Sequence, residues 1–537
     1  MQSSADKIIE TLKENGVETV FGIPSIHNIA LYEALRKDTS IRHILCRSEA
    51  MAVHMADGFA RAGQRLGVMI ASTGPGTGYT VPGVQEAFDS CSPVLIITTN
   101  IASSKIGKGV GALHEFECQD QIFRTITKST VCAGPEEDMG SLVQRAIHTA
   151  LSHRRGPVYL EIPEDVLYKP GSGQPKKSPK EPEDTGPIKN LEMAVSLINE
   201  SRQPLIMTGV SALRPTLARD IQLLAEKIGA PVISTAPAKG IIAEDHPLSF
   251  GNAARKGVLR ELIGSCDLAL ALGTRLREVD AKRRGLILPR LIHIDWDDLW
   301  VNKNFPADVA LLGDLSRILS EILERVAAPS PIRKHTQWIE ENRRKVEQET
   351  SKIYSLHPQM QYLSVIRSTL ARDSVFVTDN TLLGYWAEYF YPTYCPGGLL
   401  CAKGSVTLGF SLAAAMGAKL ALPERQVVAL IGDGGFLYSD QELATCVRHG
   451  IHFPLIVVND HSFQAVSFLQ QERFGKTYET QLTNPDFVAL AEAYGIQGYR
   501  ADSLSSFETV LTEALKTGAM SLIELNVDFK EPPFAKY

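Results

Sequence analysis

Short apolar runs alternate with amphipathic stretches along nearly the whole chain. The runs at 94–98 (VLIIT), 158–162 (VYLEI), 268–272 (LALAL) and 427–431 (VVALI) stop at a glycine, a proline or a polar residue. Their shortness and lack of alternation fit parallel strands covered on both faces. Between such runs the apolar positions recur at helical spacing, as at 5–15 and 441–449. This alternation predicts α/β domains, each a parallel sheet flanked by helices. No repeat of short fixed period interrupts the pattern, which argues against a solenoid or propeller.

Two breaks divide the pattern. Residues 170–187 (PGSGQPKKSPKEPEDTGP) carry no apolar periodicity and are dense in Pro, Lys and Glu, the composition of an exposed linker. A second shift falls at 327–334 (AAPSPIRK), ahead of a charged helical stretch at 336–352. A chain of 537 residues exceeds one hydrophobic core, and three domains are expected at ~150 residues each. They are expected at 1–170, 188–330 and 355–537, joined by a linker at 171–187 and a linker helix at 331–354. The first and third are each expected to be an open sheet that binds its ligand at the carboxyl ends of the strands.

Composition narrows the partners. With 55 Lys+Arg against 61 Asp+Glu, a net charge of −6 and no long run of either sign, neither nucleic acid nor an anionic membrane is expected; a small molecule is. The N-terminus lacks the regions of a signal peptide, and no apolar run reaches the ~18 residues of a membrane span, so a cytoplasmic location is expected. The eight cysteines show no CxxC spacing; disulfides and zinc are not expected, and most should be small buried apolar residues.

The sharpest chemical signal lies in the third domain. The run 427–431 enters Gly432-Asp433-Gly434-Gly435-Phe436, a helix follows, and a second apolar run at 454–458 ends in Asn459-Asp460. Asp433 and Asp460 are 460 − 433 = 27 residues apart, one crossover unit, so their carboxylates can converge at one sheet edge. Two such oxygens, a backbone carbonyl and a ligand's phosphates make up the octahedron Mg²⁺ prefers. Gly432, Gly434 and Gly435 are expected to let the backbone approach a diphosphate, with the next helix offering its positive end. A bare Gly-Asp-Gly is also common in ordinary turns; the full spacing is what makes it specific.

GDGGF at 432–436, QELAT at 441–445 and VVND at 457–460 together resemble the thiamine diphosphate (ThDP) motif of the acetolactate synthase and 2-oxoacid decarboxylase superfamily. The resemblance implies that Asp433, Asp460 and the backbone of Ser462 hold the metal, with Asp460 standing where the family has Asn. GSVTLGF at 404–410 is similar to the segment that props the cofactor in its bent form, which implies Leu408 as the wedge between its rings and the Val406 carbonyl as acceptor for its 4′-amino group. In 379–386 (DNTLLGYW), Leu382 and Leu383 replace residues that relatives set near the diphosphate, and leave those contacts open.

The first domain carries FGIPS (21–25), RSEA (47–50), ADGFAR (56–61) and TGPGT (73–77), in the order of the family's pyrimidine-binding domain. This implies Glu49 as the acid on ring nitrogen N1′, and Gly76 as part of the cofactor pocket. A glutamate after Ser48 also reads as a helix start favoured by the dipole. His27, after the FGIPS turn, and His114, in GALHE (111–115), stand where relatives face the substrate; either is equally read as a solvated loop histidine.

PLIMTG (204–209), PVIST (231–235) and LGTR (272–275) resemble the family's central domain, which holds FAD in some members. Here RLREVD (275–280) replaces the flavin-binding family's arginine-rich signature, which argues against FAD. DWDD at 295–298 reads as a solvated strand end rather than a metal cluster. Taken over most of the chain, the resemblance implies a ThDP- and Mg²⁺-dependent enzyme acting on a small-molecule 2-oxo acid. It cleaves the C–C bond beside the oxo group through an enamine and releases an aldehyde. Alternatives are a carboligase of acetolactate synthase type, an FAD-dependent oxidase of the same superfamily, and a non-catalytic nucleotide-binding protein. The resemblance also implies a homodimer or homotetramer with its active sites at the subunit interface.

Overall fold

A computed structural model describes residues 2–171, 186–252, 254–278, 285–327 and 335–536. Most of both linker stretches, 172–185 and 328–334, lies outside the described residues. The expected strands and helices are present, with ends shifted by a residue or two. Run 268–272 is the strand Leu268–Leu272, run 427–431 the strand Val427–Gly432, and pattern 5–15 the helix Ser4–Glu14, whose start is closed by a Ser3/Asp6 capping box. Pattern 441–449 begins with a 3₁₀ turn, Asp440–Glu442, before the helix Leu443–His449.

Three six-stranded sheets form, and every pair of named strands is parallel. The first runs in space Arg42–Leu45, Thr19–Gly22, Gly67–Ala71, Val94–Asn100, Val158–Pro163, Ser129–Cys132. The third runs Leu399–Cys401, Val375–Thr378, Val427–Gly432, Pro454–Val458, Ser521–Leu525, Gln497–Ala501, the same relative order. In both, the chain winds outward in two directions from its first strand, which opens a crevice at the carboxyl edge. The middle sheet is ordered Val309–Leu312, Arg290–Asp295, Leu268–Leu272, Pro204–Thr208, Val232–Ser234, Ser249–Asn252, the arrangement of dinucleotide-binding sheets.

The first and third domains share one core. Helix Glu49–Gly63 crosses helix Phe410–Ala421 so closely that a Cβ at Gly417 would lie 1.9 Å from the Met55 carbonyl oxygen, and one at Gly58 2.1 Å from that of Ala414. Small residues permit this approach, and Met55, Phe59, Phe410 and Ala414 are buried between the sheets. Phe410 alone contributes about 2–3 kcal/mol of burial. Through this crossing the first domain of a chain sets the position of the loop that precedes Phe410.

Two expectations need correction. Asp295 is not solvated: it is 1% exposed, its Oδ1 accepts the Trp296 N–H at 2.8 Å, and burial pushes its carboxyl up to about 7. The middle sheet continues past it to Val309–Leu312, so the strand end is covered, and only Asp297 and Asp298 reach solvent. The cysteines are all free, but four of the eight are buried, with Cys118 and Cys132 exposed. No helix among the described residues is long and apolar enough to cross a membrane.

Candidate active site

Strands Val427–Gly432 and Pro454–Val458 are in register, Gly432 beside Val458, so Asp433 and Asp460 emerge at the same carboxyl edge. Asp433 Oδ1 accepts the Gly434 N–H at 2.8 Å and Oδ2 accepts from Asn484 Nδ2 at 2.7 Å. Asn484 Nδ2 also reaches Asn459 Oδ1 (2.9 Å), and Asn459 is tied to Glu524 (2.7 Å). This fixes the backbone that presents Asp460. Burial first, then the neighbouring Asp433, pushes the Asp460 carboxyl up to about 7; burial also raises Asp433.

Ser462 bridges Gln481 in an antiparallel contact whose bonds are made by Phe463 N–H and the His461 carbonyl. Its own N–H and C=O therefore face away from that contact. A buried and a half-buried carboxylate that repel each other, next to the orphaned buried Asn484 Oδ1 and Ser462 Oγ, are a donor set suited to a hard divalent cation. The residues fit Mg²⁺.

The crevice around Asp433 is lined by Asn380, Thr381, Val406, Leu408, Gly432–Gly435, Asp460, Ser462 and Gln464, all from the third domain. Leu383 is buried in the core and Leu382 gives that wall an apolar side chain, so Asn380 and Thr381 supply its polar ones. Val406 has φ +57°, and its carbonyl accepts from Asn380 Nδ2 at 3.1 Å. Gly434 lines the crevice, and a Cβ there would sit 2.5 Å from the Phe463 ring, so its bareness also makes room for protein packing. The helix after Asp433 is a single turn, Asp433–Phe436, and offers little dipole.

At the carboxyl edge of the first sheet, Glu49 is the first residue of helix Glu49–Gly63 and is half-buried, and burial raises its carboxyl above the ordinary range. The Ser48 side chain makes no cap bond; Glu442 of the third domain accepts the Arg47 N–H at 3.0 Å instead. A Cβ at Gly76 would lie 3.1 Å from Glu49 Oε1, so Gly76 keeps the carboxyl's surroundings clear. His27 is not a solvated histidine. It is 6% exposed, its Nδ1 sits 2.6 Å from Glu164 Oε2, and its buried Nε2 has no partner. The exposed His114, at φ +61°, faces it with ring centroids 5.2 Å apart.

The structure thus assembles two separate clusters. Asp433, Asp460, Ser462, Val406 and Leu408 meet in the third domain, and Glu49, Gly76, His27 and His114 line the first-domain edge. Among the described residues, none of the first domain lines the Asp433 crevice of the same chain. Sequence reasoning missed Asp379, Asn484, Glu164 and Glu86. Asp379 directly follows the strand Val375–Thr378, a position open to inspection, and binds the Gly409 N–H at 2.9 Å. The other three act through contacts 51 or more residues distant in sequence, which no local pattern encodes.

An Asp at 460 has a measurable consequence. Metal binding requires the ionised carboxylate, so Mg²⁺ affinity should rise with pH through about 7. Between pH 8 and 6 a single such group costs about tenfold in Mg²⁺-dependent cofactor affinity. Asp460→Asn should keep metal binding and flatten this dependence, as read by titration calorimetry at pH 6, 7 and 8; an unchanged slope would place the titrating group elsewhere.

Comparison with known proteins agrees with this geometry. Residues 2–122 match the N-terminal TPP binding domain of thiamine pyrophosphate enzymes, 191–322 the central domain and 379–525 the C-terminal TPP binding domain. The chain is 32% identical to a probable 2-ketoarginine decarboxylase of Pseudomonas aeruginosa, over 97% of this chain and 94% of that protein. It is 31% identical to a probable acetolactate synthase large subunit of Methanocaldococcus jannaschii (98% and 92% covered) and 28% identical to the acetolactate synthase isozyme 3 large subunit of Escherichia coli (99% and 96%). With three parallel domains in the family's order and relatives matched end to end, the chain belongs to the thiamine pyrophosphate enzymes, in the superfamily of acetolactate synthases and 2-oxoacid decarboxylases.

Proposed function

We propose that the enzyme decarboxylates a 2-oxo acid and releases an aldehyde, with ThDP and Mg²⁺ as cofactors. The His27–Glu164 pair carries the aldehyde outcome. Glu164 on Nδ1 holds that nitrogen as the donor, so the unpartnered Nε2 is the atom free to give and take a proton. His114 beside it is a second proton carrier. A proton delivered to the carbon that has lost CO₂ ends the reaction as an aldehyde, whereas carboligation requires that carbon to stay unprotonated until a second carbonyl arrives.

When bound, ThDP supplies an electron sink for the pair released as the C–C bond breaks. Asp433, Asp460 and the Ser462 carbonyl would hold Mg²⁺ and leave positions for the diphosphate oxygens, while Val406 and Leu408 would receive the rings. Glu49, raised by burial, holds its proton to higher pH than an ordinary glutamate, which suits proton sharing with a ring nitrogen near neutrality.

Two half-sites on one chain are completed by a second copy in this reading, as a homodimer or a pair of dimers. Exposed apolar side chains support it: Ile26, Tyr79 and Leu113 on the first-domain edge, Tyr438, Val466 and Phe474 on the third. Helix Gln464–Phe474 buries none of its residues within the chain. The domain limits of 1–170, 188–330 and 355–537 and a cytoplasmic location belong to the same reading. So does the absence of flavin: the middle sheet has a dinucleotide-type order, but Arg275, paired with Asp89 and 5.0 Å over Trp300, crowds its switch point.

Relatives named acetolactate synthases keep carboligation as the second reading. Product stoichiometry separates the two. The enzyme with ThDP and Mg²⁺ is screened over 2-oxo acids, including 2-ketoarginine, by NMR. Equal amounts of CO₂ and aldehyde per acid consumed are expected; one CO₂ for every two acids, with no aldehyde, would establish the carboligase.

A further inference from the structure

Glu86, fully buried in helix Val81–Asp89 of the first domain, gathers backbone N–H groups of the third. Its Oε1 accepts from Lys403 N–H (3.0 Å) and its Oε2 from Gly404 N–H (2.8 Å) and Val406 N–H (3.4 Å). Ser90 Oγ donates to Oε1 at 3.0 Å, and the Arg61 guanidinium stands 3.8 Å away, itself paired with Asp57 and donating to the Cys401 carbonyl. The loop comes so near that a Cβ at Gly404 would lie 2.6 Å from the Asp89 Cβ, and Ser405 Oγ donates to the Pro82 carbonyl at 2.9 Å.

These bonds surround a strained residue. Val406 is β-branched and sits at φ +57°, a region such side chains seldom occupy. The far end of the loop is held by Asp379 through Gly409 N–H, but the near end, where Val406 lies, is held by Glu86 and by Asn380 on the Val406 carbonyl. Without an acceptor for these N–H groups, Val406 would relax to an extended backbone and turn its carbonyl.

We propose that Glu86 is a positioning residue for the ring end of the cofactor. Reaching across the interdomain contact of its own chain, it holds Val406 in the left-handed conformation that presents its carbonyl to the crevice. The inference rests on the ThDP reading above. It gives the first domain two tasks: Glu86 acts on the cofactor loop of its own chain, while Glu49 serves the site completed by the other copy.

The test compares two ligands on the full-length protein: ThDP with Mg²⁺, and inorganic diphosphate with Mg²⁺, which engages only the metal end. Glu86→Gln keeps the volume but leaves one acceptor oxygen where there were two. ThDP affinity should fall by at least about tenfold while diphosphate affinity stays within about twofold. Adding Val406→Gly, which takes φ +57° without strain, should recover most of the loss. Unchanged ThDP affinity in Glu86→Gln, or an equal fall for both ligands, overturns the proposal. If Glu86→Gln does not fold, Ser405→Ala, which cuts the adjoining tie to Pro82, should lower ThDP affinity selectively by about threefold; no selective loss overturns it. Failure of the wild-type protein to bind ThDP at all, with diphosphate still bound, would instead refute the cofactor reading itself.

Discussion

Glu49→Gln should lower turnover by about a thousandfold while cofactor affinity changes little. Glutamine fills the space that Gly76 leaves for the carboxyl and hydrogen-bonds in its place, but it cannot exchange a proton, and a positioned proton carrier is worth roughly 10²–10⁴ in rate. Stability supplies a control on the same variant. Burial raises the folded-state pKa of Glu49 above the unfolded one, so the folded protein binds the proton more tightly, and ionisation above the ordinary glutamate range counts against folding. A neutral amide removes that penalty. Because the group is half-buried the effect is small, and the melting temperature at pH 8 should stay level or rise by about 1–2 °C. A kcat within tenfold of wild type would remove Glu49 from the mechanism.

Asp433→Asn should have the other large effect, on binding. One of two carboxylates becomes a neutral oxygen, and Mg²⁺-dependent ThDP affinity should fall by at least about a hundredfold. The cofactor-free protein should respond in the opposite direction. Asp433 is one cause of the raised Asp460 carboxyl, whose pKa of about 7 lies far above its unfolded value. Stability at Asp460 is therefore fullest below the unfolded pKa and declines as pH rises toward 7. Removing the facing charge brings Asp460 back toward the ordinary range and relieves that loss. Calorimetric scans at pH 8 should show the metal-free variant melting at or above wild type, and the holo variant below it. Destabilisation of the metal-free form would mean that the hydrogen bonds to Gly434 and Asn484 outweigh the charge repulsion.

The layered architecture was legible from the chain because its strands are apolar runs bounded by glycine and its helices carry a clear apolar stripe. The convergence of Asp433 and Asp460 was legible for the same reason. Asp433 and Asp460 both follow directly on strands, and parallel register leaves such residues only one edge to occupy. Glu49 was singled out through its flanking motifs, not through its own position, which reads as a helix start. What stayed hidden acts between residues far apart in sequence or across neighbouring strands. Glu86 lies in a helix whose pattern shows nothing but amphipathicity, and its partners are more than 300 residues away. His27 looked like a turn histidine because Glu164, which buries and orients it, comes 137 residues later. Asp295 was misjudged because a strand end is solvated only when no further strand covers it, and here one does.

The most direct test of the composite site joins the two variants. Chains carrying Glu49→Gln and Asp433→Asn are co-expressed with different tags, and the mixed dimer is purified through both. If Glu49 of one chain completes the Asp433 crevice of the other, one of its sites carries both substitutions and the other carries neither, so at a ThDP concentration that fills wild-type but not Asp433→Asn sites about half of the wild-type turnover should return although each parent is nearly inactive. A mixed dimer as inactive as its parents would show that Glu49 and Asp433 serve the same site from one chain, and would contradict the account.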